Sequence, residues 1–299
     1  MSETILFFGS GPVAARSLEL LAQDFTVEAV VTKPRPAHHR EAFPVLATAE
    51  RLGLKTFTAE TSAQLSELFG PRPVNSHVGL VIDYGIVIKP DVIDYFPYGI
   101  VNSHFSLLPR WRGADPISFA ILSGDQQTGV SLMLINDKLD EGPLLAQAPY
   151  DLSPTITTPE LTEKLIRLSH ETLQEIIPKY LTGAIKPFEQ SSLPIEPTYS
   201  RKLTKEDSIL DFAKPAEQLE REVRAFAGWP RSRTTLGSVD VVITQAHVVH
   251  GSGQPGQLWL AKQQIGVYTA EDILAIDRLI PAGKPEMSAA AFLAGYQLS

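Results

Sequence analysis

The strongest constraint on how this chain folds is a regular alternation between Thr4 and Tyr180. Short, near-continuously apolar runs exchange there with segments of helical periodicity. Thr4–Gly9, Val27–Thr32, Lys55–Phe57, Gly79–Ile82, Ile100–His104 and Val130–Ile135 read as strands. Pro12–Leu21, Val45–Leu52, Ala63–Phe69, Pro116–Leu122 and Glu160–Tyr180 read as helices, with Asp115 as a candidate N-cap for the fourth. Runs such as Gly79–Ile82 lack the apolar–polar alternation of a half-solvated strand, so both of their faces are buried, as in a parallel sheet. The expected fold class is α/β, an open, doubly wound, mostly parallel sheet. Ligands of such sheets bind beyond the carboxyl ends of the strands.

The pattern changes between Gly183 and Ser200, where proline and serine accumulate. Beyond it, a helix over Ala216–Phe226 precedes the short strands Arg233–Leu236, Val239–Val249, Gln257–Ala261 and Ile265–Tyr268, which suit a small β-barrel. The expected domains are therefore 1–183, a linker at 184–203, and 204–299. Cysteine is absent, which excludes disulfides, thiolate nucleophiles and cysteine-based zinc sites. No apolar run has the length of a membrane helix, and the acid before the first apolar run does not suit a signal peptide. A cytoplasmic protein with no membrane partner is expected. The net charge of −8 argues against broad nucleic-acid affinity, so any such contact has to be local.

The run Asn102-Ser103-His104-Phe105-Ser106-Leu107-Leu108-Pro109-Arg110-Trp111-Arg112-Gly113 follows a strand and enters a turn. On an extended chain Asn102 and His104 project to one face and Ser103 to the other, which excludes a Ser103–His104 dyad. An amide donor beside an imidazole suits acyl transfer without a covalent intermediate. The amide steadies an oxyanion, and an imidazole exchanges protons near neutrality. A third group must take the proton of the nucleophile. The turn after the strand Thr128–Ile135 supplies Asp140, but position alone leaves Asp137, Glu141 and Asp151 equally eligible.

Asn-x-His, then Ser-Leu-Leu-Pro-x-x-Arg-Gly, Gly124-Asp125, Thr128-Gly129-Val130 and Leu139-Asp140-x-Gly142 together resemble the 10-formyltetrahydrofolate-dependent formyltransferases. The resemblance implies Asn102, His104 and Asp140 as the catalytic trio, and a folate wall at Ser106, Leu107, Leu108 and Pro109 that offers mainly backbone groups. It implies 10-formyltetrahydrofolate as co-substrate and no metal. Tyr199–Asp207, Lys214-Pro215-Ala216, Arg224-Ala225-Phe226 with Trp229-Pro230, and Pro281–Lys284 before Met287-Ser288-Ala289 resemble the branch that acts on initiator methionyl-tRNA. That implies formylation of the methionyl α-amine for translation initiation, a monomer, and an oligonucleotide-binding-like barrel at 204–299 that holds the tRNA. In that branch a longer Gly/Lys-rich loop grips the acceptor end, whereas Lys33–Glu41 is short and lacks the lysines. A nucleotide-linked amino sugar is the alternative acceptor.

Three other signals have plainer readings. Gly9-Ser10-Gly11 with Ala14 imitates a dinucleotide fingerprint, which would make the chain an NAD(P)-binding oxidoreductase. The second strand, however, ends Thr32-Lys33-Pro34 without the ribose-binding acid, so a tight strand-to-helix turn is expected instead. Within the resemblance this loop borders the site of the amino substrate. Arg110 and Arg112 either contact phosphate or carboxylate or pin the turn. His247 and His250 sit three apart on a strand and face opposite ways, and His38-His39 lies in a loop beside Arg35 and Arg40. Neither pair makes a metal site on its own.

Overall fold

The computed structural model describes residues 3–35 and 43–298. Most of the Lys33–Glu41 loop, including His38 and His39, lies outside them. Two compact units divide the chain. Unit 1 runs to Gly113 and resumes over Thr128–Asp151 and Thr162–Tyr199; unit 2 consists of Ala114–Gln127, Leu152–Leu161 and the chain from Ser200.

The elements run β1 (Thr4–Phe8), α1 (Pro12–Asp24), β2 (Thr26–Thr32), α2 (Pro44–Arg51), β3 (Thr56–Thr58), α3 (Ser62–Phe69), β4 (Gly79–Val81), α4 (Pro90–Ile93) and β5 (Ile100–His104). They continue with β6 (Arg112–Gly113), α5 (Pro116–Leu122), β7 (Gln127–Leu134), β8 (Leu144–Asp151), α6 (Thr158–Leu181) and β9 (Tyr199–Ser200). The remainder is α7 (Ala216–Ala225), β10 (Ser232–Leu236), β11 (Val239–Val249), β12 (Leu258–Ala261), β13 (Gln264–Tyr268), β14 (Ile273–Pro281), β15 (Met287–Ser288) and α8 (Ala289–Gly295).

Unit 1 is built on a seven-stranded sheet ordered β3-β2-β1-β4-β5-β7-β8. The first five are parallel neighbours, and β7 runs antiparallel to β5 with Val101 opposite Leu134 and His104 opposite Ser131. The mostly parallel doubly wound fold is thus as the sequence leads one to expect. Strand order reverses between β1 and β4, the switch point where such sheets open a crevice. Helix α1 starts on Pro12, whose fixed φ and missing N–H suit a first turn, and buries Ala14, Leu18 and Leu21. One flank of the core is aromatic: Phe8 packs against Phe69, Tyr84 and Phe96.

The stretch expected as a linker is held along unit 1 up to Tyr199. Phe188 and Leu144 exchange backbone bonds of 2.8 and 2.9 Å, and Arg112 donates its N–H to Thr198 O. Unit 2 carries an antiparallel sheet ordered β10-β11-β14-β13-β12, with β15 added antiparallel on β14. Strand β11 shifts register twice around Gln245, the kind of bulge that bends a strand as a small barrel requires. Strand β14, unexpected from the sequence, sits between β11 and β13 and supplies the core residues Leu274, Ile276 and Leu279. Asp115 holds the N-cap position of α5 as expected, but its side chain does not cap. Its carboxylate makes no capping bond among the described residues and instead accepts the Leu203 N–H at 2.7 Å.

Candidate active site

Strand β5 ends at the sheet's carboxyl edge, one strand from the switch point, and delivers three consecutive polar residues there. Asn102 is half-buried. Ser103 turns the other way and is buried, its hydroxyl 2.7 Å from that of Ser169 on α6. The pleat thus separates Ser103 from His104, as extended geometry demands. His104 is 7% exposed, and its Nε2 lies 2.9 Å from Trp111 O. A carbonyl only accepts, so Nε2 carries the hydrogen and Nδ1 is left as the nitrogen that gains or loses a proton. Nδ1 faces Asp140 Oδ2 across 3.8 Å. That separation exceeds a hydrogen bond and leaves the two nearly buried side chains within ion-pair range should the ring carry a proton.

Asp140 sits in the turn after β7 and is itself 7% exposed. Its Oδ2 accepts the Gly113 N–H at 2.8 Å, so the same oxygen is held by β6 and directed at the imidazole. Its backbone is left-handed, with φ 53°. Gly142 closes the turn under Leu134, where an ideal Cβ would stand 1.7 Å from the Leu134 carbonyl oxygen, so no side chain fits. Of the acids that position alone left open, Glu141 instead pairs with Arg112 at 3.4 Å and Asp137 is exposed. Among those acids, Asp140 is the one seen to face His104.

Ser106-Leu107-Leu108-Pro109 forms a braced wall beside this group, with a cis bond before Pro109. Ser131, fully buried and opposite His104 on β7, fills all three of its hydroxyl's bonding roles. It donates to Ser106 O at 2.7 Å and accepts from the Leu108 N–H at 2.9 Å and Gln147 Nε2 at 3.0 Å. Gln147 also donates to Leu108 O, Arg110 N–H to Leu107 O, and Thr198 N–H to Pro109 O. The four carbonyls expected to face the folate are therefore bonded within the protein, and the half-buried Leu107 side chain is what the turn leaves partly open. Ser131 and Gln147 were not legible as site residues, since a serine and a glutamine in strands carry no motif.

The two arginines of the run are occupied locally. Arg110 lies over the Trp111 ring, 4.6 Å from its centroid. Arg112, 7% exposed, donates to Gln190 and pairs with Glu141, which makes it a pin of the turn rather than an open anion contact. In the Gly9–Gly11 loop, the Ser10 and Gly11 N–H groups donate to Asp83 O and the Ser10 hydroxyl to Tyr84 O. Amides that would cradle a pyrophosphate are thus committed to the neighbouring strand end, and the tight-turn reading holds. His247 pairs with Asp277 and His250 with Asp272, on separate partners. Among the described residues no group of three or more His, Asp or Glu side chains gathers as a metal would need, and no helix is long and apolar enough to cross a membrane.

Comparison with known proteins gives the following. Residues 5–177 match a family described as formyl transferase, and residues 202–297 match its C-terminal domain. A Roseiflexus castenholzii protein described as methionyl-tRNA formyltransferase is 38% identical over 311 residues, spanning 100% of this chain and 98% of its own length. One from Myxococcus xanthus with the same description is 39% identical over 306 residues, with 99% and 96% covered. Among solved structures, an N-formyltransferase from Helicobacter canadensis in complex with folinic acid and dTDP-3-aminofucose superposes with a TM-score of 0.69 at 16% identity, covering 92% of this chain and 98% of that one. HypX from Aquifex aeolicus in complex with tetrahydrofolic acid gives 0.63 at 16% identity, covering 97% and 46%. At such identities the structural likeness speaks for the fold alone.

Proposed function

This chain belongs to the formyl transferase family, and we propose that it moves the formyl group of 10-formyltetrahydrofolate onto the α-amine of methionyl initiator tRNA. The observation that carries the chemistry is the near-buried His104–Asp140 pair, 3.8 Å apart, two residues along β5 from Asn102. The acceptor rests on full-length identity to relatives described as methionyl-tRNA formyltransferases, the C-terminal domain included.

The nucleophile has to be neutral. A free α-amine titrates at about 7.7–8, and an adjacent ester lowers that further, so a weak base suffices. The amine attacks the formyl carbon and a new C–N bond forms. The carbonyl oxygen becomes an oxyanion, to which the Asn102 amide donates. Removing one such donor typically costs about 3 kcal/mol of barrier. His104, its Nε2 hydrogen held by the Trp111 carbonyl, stabilises the same charge with Nδ1 protonated. Asp140 orients His104 and takes the proton of the attacking amine, directly or through water, to pass it on to the leaving nitrogen. The bond from the formyl carbon to the folate nitrogen then breaks, and that nitrogen leaves carrying the proton. The folate binds against the Ser106–Pro109 wall, whose internal bracing keeps it from yielding, with Leu107 as its apolar contact.

The deciding experiment measures formyl transfer to charged initiator tRNA, charged elongator methionine tRNA and a dTDP-linked amino sugar in parallel. Preference for the initiator supports the reading. Transfer to the amino sugar alone would replace the acceptor and keep the chemistry.

A further inference from the structure

Gln190 lies between Glu189 and Ser191 in the stretch after α6, in a sequence context that advertises nothing. It is 3% exposed. A primary amide that deep is costly unless every donor and acceptor is used, and here the account closes. Nε2 donates to Asp140 O and to Gly142 O, each at 2.9 Å. Oε1 accepts from Arg112 Nε at 3.2 Å and from its terminal nitrogen at 2.8 Å. The orientation of the amide is fixed by chemistry. Reversed, it would set an oxygen against two carbonyls and an NH2 against a guanidinium, neither of which can bond.

The two ends of this side chain reach both parts that hold the Asp140 carboxylate. On one side are the carbonyl of Asp140 and that of Gly142, in a turn whose residue Asp140 is left-handed. On the other is Arg112, the residue before Gly113, whose N–H holds Asp140 Oδ2. Glu141, between the two clamped carbonyls, returns an ion pair to the same guanidinium at 3.4 Å. The turn that carries the carboxylate and the strand that holds it are thus joined through one buried side chain.

We propose that Gln190 is a positioning residue for Asp140, its two N–H donors fixing the turn that aims the carboxylate at the imidazole. This rests on the reading of Asp140 as proton acceptor. Gln190 touches no reacting atom and acts through the turn alone. Misplacement of a reacting group by about 1 Å costs on the order of 10²-fold in rate.

The test is a double-mutant cycle on the full chain, with kcat and KM for both substrates and a thermal melt of each variant. Gln190→Met, similar in volume but without the donors, is expected to lower kcat by about 10²-fold and to leave both KM values within about threefold. In an Asp140→Asn background the same substitution should have little further effect on kcat, because no carboxylate is left to aim. Gln190→Glu keeps the acceptor for Arg112 and removes the donors. It should behave like Gln190→Met and serves in its place if that variant does not fold. A loss of the same factor in both backgrounds, or a Gln190→Met kcat within about threefold of wild type, would overturn the positioning role. Asp140→Asn at the wild-type rate would instead overturn the reading of Asp140 itself.

Discussion

Asp140→Asn removes the charge beside the imidazole together with the acceptor of the amine proton, and the charge alone sets a floor on the loss. The replacement is isosteric and its amide oxygen can still accept the Gly113 N–H, so the turn is retained. What disappears with the charge is attraction between a carboxylate and a protonated ring 3.8 Å apart. In bulk water that attraction is about 1 kcal/mol, whereas at the effective dielectric of about 20 that suits protein sites it is about 4 kcal/mol. Both side chains are at most 9% exposed, so the larger figure is the relevant upper bound. At about 1.36 kcal/mol per decade, the variant should lose between about 10² and 10³ in kcat from the charge alone. Single-turnover formyl transfer with both substrates saturating measures this without contamination from binding. A loss under about fivefold, which is all that a water-screened pair supplies, would refute the claim that Asp140 works through His104.

Ser103→Ala should keep kcat within about twofold, because its hydroxyl faces Ser169 and not the reacting centre, while unfolding in urea shows about 1 kcal/mol of lost stability. Gly142→Ala should cost about 1–3 kcal/mol or more in the same assay, since its Cβ meets the backbone oxygen of Leu134. In unit 2, Arg201 and the Thr204 N–H hold the Asp207 carboxyl well below the usual carboxylate range. Its folded value is depressed, so its contribution is present above the unfolded value of about 3.9 and fades as pH falls through and below it. Arg201 is largely exposed, which limits that contribution to about 1 kcal/mol or less. Melting temperatures from pH 6 down to about 3 should therefore fall less steeply for Asp207→Asn than for wild type.

The parallel sheet was legible because strands buried on both faces leave a near-continuous apolar signature, which β1 and β4 carry throughout and β2 and β5 carry in part. Strand β14 was not, since Ile273–Pro281 is an apolar run whose periodicity does not separate strand from helix. At the site, Asn102 and His104 followed from spacing two on a strand, a local rule. Asp140 did not, because its selection over Asp137 and Glu141 depends on how a turn folds back, which only three-dimensional packing decides. Arg112 gives the clearest lesson of this kind. Its charge suggested an anion contact, but its partners lie in the turn after β7 and in the stretch beyond α6, far along the chain. The same distance concealed Gln190, whose importance comes entirely from what surrounds it. Asp115 takes the N-cap position, but its carboxylate does no capping for a related reason: a backbone N–H remote in sequence, that of Leu203, claims it.

The most direct test follows labelled formyl transfer from 10-formyltetrahydrofolate to methionyl initiator tRNA by wild-type protein and by His104→Ala, with binding of both substrates verified. Wild type should formylate the tRNA, and His104→Ala should be slower by about 10²-fold or more with affinities intact. A His104→Ala variant that turns over within about threefold of wild type would contradict the assignment of this site.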